Sequence, residues 1–239
     1  MDIHTYENDC KRISELTKGR IDNILLLGGE PLLHPNVKDF LIITRKYFPE
    51  ISIPNRIGII DLVTNGILLH KQSDDFWETC RDNSIRVVIS DYPIKIKHEI
   101  IKEKAKKFNV ELWMYSEKRE SQNPGSSNQW MKIPIDTKGS HNNRKSFGKC
   151  FLGGNCFQLV NGKIFKCARI AYIDLFNAAF DKQLKVREND YVDIYKTETI
   201  DEILLLLTQP APFCRYCNVD SMTWNNEWNA SKKTIDEWV

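Results

Sequence analysis

The sequence predicts an α/β fold built on parallel strands, followed by a smaller cysteine-rich C-terminal lobe. Three observations carry that prediction. Short apolar runs alternate with amphipathic stretches, one pair to roughly 25–30 residues, which is the rhythm of βαβ units. The runs are continuous rather than alternating, as strands of a buried parallel sheet are. After Tyr115 the rhythm stops, and from Cys150 onward cysteines, glycines and a hairpin signal take its place.

Ile3, Tyr6, Cys10, Ile13 and Leu16 recur every three or four residues, so the chain opens on an amphipathic helix with Gly19 as its stop. Residues 24–27 are a short apolar run, expected as a strand buried on both faces. Pro35 opens a second helix with Val37, Phe40, Leu41, Thr44 and Phe48 on one face. Leu62 and Val63 lead into Thr64-Asn65-Gly66, a strand ending in a turn. Ser73 is the N-cap of a helix carrying Phe76, Trp77 and Cys80. Residues 86–89 form another buried strand, which ends at Ser90-Asp91-Tyr92-Pro93. The next helix turns Ile101, Ala105 and Phe108 inward. Its Lys102, Lys104, Lys106 and Lys107, interleaved with Glu99 and Glu103, form a solvated face. Residues 110–115 are a further strand.

The polar stretch 116–129, with Asn123-Pro124-Gly125-Ser126-Ser127, reads as a mobile loop. Val160-Asn161-Gly162-Lys163 reads as a hairpin, because Asn-Gly accommodates the left-handed dihedrals of a two-residue turn. Trp224, Trp228 and Trp238 lie at helix-compatible spacings in a tail expected to pack back onto the α/β part. The resulting division is an α/β domain over 1–115, a loop and connection over 116–148, and a cysteine-rich lobe over 149–239.

Composition excludes several functions. The chain has 239 residues, 41% hydrophobic and 28% charged, with a net charge of +2. That charge makes no case for nucleic acid or an anionic membrane as partner. No apolar stretch approaches the roughly 20 residues of a membrane span. The opening MDIHTYENDCKR has neither the basic start nor the apolar block of a signal peptide. A reducing, cytoplasmic setting is therefore expected, in which the seven cysteines serve as metal ligands, catalysts or buried apolar residues rather than disulfides. Cys10 and Cys80 fall on apolar stripes and are expected in the core. His34 is expected as a surface turn residue rather than a base, and no nucleophile–base pair suggests hydrolysis.

The stretch LLLGGEPLLHP, residues 25–35, stands apart. In parallel α/β sheets ligands bind at the carboxyl ends of strands, and Gly28-Gly29-Glu30-Pro31 sits at such an end. Glycines admit close approach and unusual dihedrals, proline stops the strand, and Glu30 can accept hydrogen bonds from an ammonium group. The plainer reading is a strand-to-helix turn with a solvated glutamate.

LLLGGEPLLHP resembles the second-strand motif of radical S-adenosylmethionine (SAM) enzymes. DLVTNGILL at 61–69 resembles their third strand, and VVISDYP at 87–93 their fourth. The resemblance spans most of residues 1–115. It implies a partial (β/α)6 barrel in which Gly28, Gly29 and Glu30 contact the methionine amine of SAM, while Thr64, Asn65 and Ser90 line the ribose or carboxylate side. The family's Cys-x-x-x-Cys-x-x-Cys loop, whose thiolates hold a [4Fe–4S] cluster, does not occur in this sequence. The resemblance therefore implies a barrel lacking its first strand and cluster loop, as in an N-terminal truncation or a natural remnant. The strand edge at residues 24–27 is then expected to promote self-association.

Five cysteines remain: Cys150, Cys156, Cys167, Cys214 and Cys217. Cys214 and Cys217 form Cys-x-x-Cys, a spacing that brings two sulfurs to one ion. Cys167 follows Gly162 with four residues between, and Cys150 precedes it with eleven. This resembles the SPASM or twitch lobe of many radical SAM enzymes. It implies an auxiliary [4Fe–4S] cluster on Cys150, Cys167, Cys214 and Cys217, with Cys156 in reserve. A four-cysteine zinc site and a set of free thiols remain open. The function expected of a full-length protein of this kind is reductive cleavage of SAM and hydrogen abstraction from a peptide, protein or small molecule. This chain would supply the SAM cradle and the auxiliary lobe, and alone would be inactive. The alternative is a non-catalytic binding module stabilised by zinc or an iron–sulfur cluster.

Overall fold

A computed structural model of the chain describes residues 1–239 except 50, 54–55, 91, 116–128 and 154–155. It divides into two compact units, Met1–Asn128 and Gln129–Val239.

The first unit opens on α1 (Ile3–Thr17). Asp2 caps it through Thr5 N, and Lys18 closes it in the left-handed region, followed by Gly19 at φ 69°. Asp9 is buried on this helix beside the expected Tyr6, Cys10 and Ile13. There follow β1 (Asn23–Leu26), a 3-10 turn Pro31–Leu33 and α2 (Val37–Tyr47). Next come a short antiparallel pair, β2 (Ile51–Ile53) with β3 (Arg56–Ile57), and then β4 (Ile59–Thr64). The unit continues with α3 (Asp74–Asp82), β5 (Ile85–Ile89), α4 (His98–Phe108) and β6 (Leu112–Met114). Ser73 caps α3, its hydroxyl accepting from Phe76 N at 3.3 Å as the sequence anticipates.

Four strands form one parallel sheet in the order β1-β4-β5-β6. Ile60, Leu62, Ile85, Val87, Ile89 and Met114 point to one face. There they meet Val37 and Leu41 of α2, Phe76, Trp77 and Cys80 of α3, and Ile101, Ala105 and Phe108 of α4. Tyr6 and Thr44 share a 2.6 Å hydrogen bond that ties α1 to α2.

The expectation that residues 24–27 are buried on both faces is not met. β1 lies at the sheet edge, and its side chains alternate between exposed and half-buried; Leu25 is 41% exposed, and Leu27 just past the strand 50%. A strand flanked on one side and covered on one face cannot bury both of its rows. Residues 86–89, in the sheet interior, are buried throughout.

The second unit is built of shorter pieces: β7 (Gln129–Lys132), α5 (Asn143–Lys149), β8 (Gln158–Val160), β9 (Lys163–Phe165), α6 (Ala168–Ala171) and α7 (Ile173–Phe180). Beyond these come β10 (Tyr191–Asp193), α8 (Ile200–Thr208), a 3-10 turn Pro212–Tyr216 and β11 (Thr223–Glu227). β10, β9 and β8 form an antiparallel sheet. Asn161 and Gly162 turn between β8 and β9 at φ 48° and 73°, the primed turn that the Asn-Gly pair favours. A core of Ile135, Phe165, Ile170, Ile173, Phe176, Leu184, Phe213 and Tyr216 packs behind this sheet.

The helix-compatible spacing of the tail tryptophans does not correspond to an α-helix: Trp224 lies on β11. β11 pairs antiparallel with β7, a partner about 90 residues away in sequence that local periodicity does not report. Trp224 stacks edge-on against Phe151 at 5.6 Å, and Trp238 against Phe176 at 5.9 Å, both within this unit. The polar stretch expected as a mobile loop falls outside the described residues through 128, and Asp91 and Gly154 also lie outside them.

Candidate functional site

In the first unit the carboxyl ends of β1, β4 and β5 are laced together. Glu30 follows β1 and begins the turn Pro31–Leu33, its Oε1 accepting from Leu32 N at 3.0 Å. The same oxygen accepts from the Thr64 hydroxyl at 2.7 Å, and Oε2 accepts from Asn65 N at 2.9 Å. Thr64 is buried and also accepts from Gly66 N, while its carbonyl accepts from Ser90 N at 2.8 Å. Asn65 Oδ1 takes Ile67 N at 2.9 Å. Glu30, Thr64, Asn65 and Ser90 therefore meet at one end of the sheet. Glu30 is neither a simply solvated glutamate nor an uncommitted acceptor, because it bridges β1 to the end of β4.

The two glycines before it behave differently from Gly19 and Gly66. Gly66 is needed: φ is 77°, and an added Cβ would lie 3.1 Å from Ile89 Cγ2. Gly28 and Gly29 are not at positive φ, and an added Cβ at either would meet nothing within 4 Å among the described residues. The dihedral reason offered by the sequence therefore falls away, and open access along the backbone remains.

The face of the sheet opposite the helices carries a group that the sequence reading missed. Arg86 on β5 grips Asp61 on β4 with two parallel bonds, Nε to Oδ1 at 2.7 Å and Nη2 to Oδ2 at 2.8 Å. Its guanidinium lies 4.0 Å from the Trp113 ring centroid. Asp61 is 4% exposed and Arg86 9%. The available signal was one opposite charge in each of two neighbouring apolar strands, at positions that parallel register sets side by side.

In the second unit, Cys150 closes α5, Cys167 stands at the N-terminus of α6, and Cys214 and Cys217 flank the end of the Pro212–Tyr216 turn. All four are half-buried, whereas Cys156 is exposed. They lie within electrostatic reach of one another: Cys214 feels Cys217, Cys167 and Cys150, and Cys217 feels Cys150. Burial pushes the Cys214 thiol up to about 12 and the Cys167 thiol to about 11. Burial also raises Cys217, against an opposing hydrogen bond from Arg169 Nη1 to its Sγ at 3.3 Å. Among the described residues no three His, Cys, Asp or Glu side chains are grouped closely enough to hold a metal ion. The donor chemistry fits a four-thiolate metal centre, while the spacing of the sulfurs is looser than one.

Cys10 and Cys80 are core residues, as expected, with thiols pushed up to about 12 by burial. His34 sits in its turn, Nδ1 accepting from Asn36 N and Nε2 near the carbonyl of Met1. Lys104 and Lys107 bond Gln72 O and Asp74. Among the described residues no helix is long and apolar enough to cross a membrane. No family model matches the chain, and no curated protein matches it at a significant level.

Proposed function

We propose that the first unit is a radical SAM-type partial (β/α) barrel that binds S-adenosylmethionine at the Gly28-Gly29-Glu30 corner, and that the second unit holds an auxiliary metal–thiolate centre on Cys150, Cys167, Cys214 and Cys217. The observation that carries the first part is the glycine pair. Neither dihedrals nor internal packing call for glycine at 28 or 29, so a partner approaching the backbone is the physical reason left. Topology supports the barrel. The strand order follows chain order in one direction, and right-handed crossovers then place every helix on the same face. A doubly wound sheet reverses direction and is covered on both faces.

The residues fit the methionine end of such a ligand in part. A carboxylate offers about four acceptor positions, and Glu30 uses three internally, which leaves one on Oε2 for an ammonium. Thr64 and Asn65 fix that carboxylate at the strand ends. The chemistry supplied in proteins of this kind is hydrogen abstraction by a radical generated from SAM with an electron from a reduced cluster. The sequence holds no Cys-x-x-x-Cys-x-x-Cys motif, so binding without cleavage is the activity proposed for this chain alone. The alternative, a non-catalytic binding module stabilised by zinc or iron–sulfur, draws on the same internal use of Glu30, which a purely structural clamp also explains.

Calorimetric titration of SAM into the chain tests the reading. One equivalent should bind. Gly28→Ala and Gly29→Ala should leave the melting temperature unchanged or slightly raised while weakening binding by about tenfold or more, as overpacking of a contact surface does. No binding by the wild-type chain, or binding indifferent to both substitutions, overturns it. Metal bound in the second unit without SAM binding in the first supports the alternative.

A further inference from the structure

β1 closes one side of the parallel sheet, and among the described residues no strand pairs with its outer edge. Its register with β4 is straight, from Asn23 beside Ile59 to Leu26 beside Leu62. Ile59 N donates to Asp22 O at 3.0 Å. Backbone groups turn to alternate sides along a strand. Asp22, Ile24 and Leu26 therefore turn theirs to β4, while Asn23 and Leu25 turn theirs outward, with Leu27 next in the series. α1 is held on α2 instead, by Tyr6 to Thr44, Ser14 to the Tyr47 carbonyl and Glu7 to Lys46. Native edge strands are commonly blunted by a lysine, a proline or a bulge. Asn23–Gly29 contains no charged residue and no proline, and no bulge interrupts the pairing of β1. Ile24 and Leu26 pack toward the core, which leaves Leu25 on the open face.

We infer that this edge docks a second copy of the chain, the two β1 strands pairing antiparallel about a two-fold axis at Leu25. The choice of a second copy rests on self-complementarity. Centred there, the two Leu25 residues exchange both of their backbone bonds, and Asn23 of each strand meets Leu27 of the other. Every outward group of the run finds a partner, no like charges are opposed, and the contact closes on itself as an isologous interface does. The helices of both copies then share one face, and the two sheets join in the order β6-β5-β4-β1-β1-β4-β5-β6. A pair of four-residue strands is smaller than a standard interface of roughly 800 Å² per partner, so the dimer is weak and reversible. The inference uses only the strand edge and is independent of the SAM and metal readings.

The test combines sedimentation velocity of the full chain over a concentration series with hydrogen exchange at single amides. The wild-type chain should pass from monomer to dimer as concentration rises. The Leu25 amide, which faces outward, should exchange about tenfold or more slowly in dimer-rich samples than in dilute ones. The Ile24 and Leu26 amides, which face β4, should change little. Leu25→Lys sets two ammonium groups against each other at the axis and should weaken association by about tenfold or more. It should leave the melting temperature of the dilute chain unchanged, because residue 25 is exposed in the monomer. Leu25→Val, uncharged and suited to a strand, should retain the dimer. A chain that stays monomeric at its highest soluble concentration overturns the inference. So does a dimer that Leu25→Lys leaves intact, which places the contact elsewhere. So does a Leu25 amide protected equally at every concentration, which assigns the edge to another segment of the same chain or to a co-purified peptide. If Leu25→Lys fails to fold, the exchange series on the wild-type chain decides alone.

Discussion

In the first unit Trp77, Phe76, Leu41 and Leu69 lie fully buried in one core between four parallel strands and their helices. In the second, the longest helix among the described residues is the nine-residue Ile200–Thr208, and the strands run to three to five residues. The polar groups differ as sharply. In the first unit the buried Arg86 pairs with Asp61, and Glu30 is held by three donors. In the second unit the buried Lys166 ammonium donates to the backbone carbonyls of Leu207 and Gln209. A sheet with a large core stands on packing, and here it does so although the buried Trp77 Nε1 makes no hydrogen bond among the described residues. A lobe of short elements has less apolar area to bury, and the proposed metal–thiolate centre would supply stability that its core does not.

Chelation should break that comparison most visibly. Structural metal contributes about 10–16 kcal/mol in small metal-dependent domains, comparable to the whole stability of a typical domain at about 5–15 kcal/mol. Stripping metal should therefore abolish hydrogen-exchange protection across Gln129–Val239 and leave β4 and β5 protected. Protection that persists in both units after chelation would show that the second also stands on packing alone. In the first unit, Asp61→Ala leaves the Arg86 guanidinium buried without its carboxylate and should cost about 3–5 kcal/mol, read as a fall in the denaturation midpoint. Replacing both partners with apolar residues should recover most of it; failure to recover would mean the pair does more than balance charge.

The smallest effect is expected at Asp220, which bridges Lys145 and Lys149 on the surface of the second unit. Hydrogen bonds from Lys149 and then Lys145 hold its carboxyl down to about 2. A depressed acid contributes stability above its unfolded value and loses that contribution as pH falls through the folded one. The carboxyl resonance should titrate near pH 2, and Asp220→Asn should leave the neutral-pH melting temperature unchanged, as exposed pairs do. A clear drop would move the support of this unit from its thiols to its surface charges.

Part of the candidate site was legible because its signals are local. Gly28-Gly29-Glu30 ends a strand where parallel sheets bind ligands, and the Cys-x-x-Cys pair stands in one turn. The partners of Glu30 were named together with it, yet their bonds to its carboxylate were not foreseen, since Thr64 and Asn65 reach Glu30 across 34 and 35 residues. Lys166 and Arg169 flank Cys167 in plain view. Lys166 became notable through burial, which composition does not report.

The sequence by itself determined what short-range sterics and hydrogen bonding decide: the cap at Ser73, the left-handed turn at Asn161-Gly162, the helix stop at Gly19, and the apolar runs that became β4 and β5. Tertiary structure alone decided which runs lie at an edge, so that Leu25 is exposed while Val87 is not. It also decided that the tail is a strand, through its pairing with β7, and that Asp61 meets Arg86. These outcomes depend on which segments become neighbours. Neighbours set burial and strand pairing, and burial gives a charge or a thiol its energy.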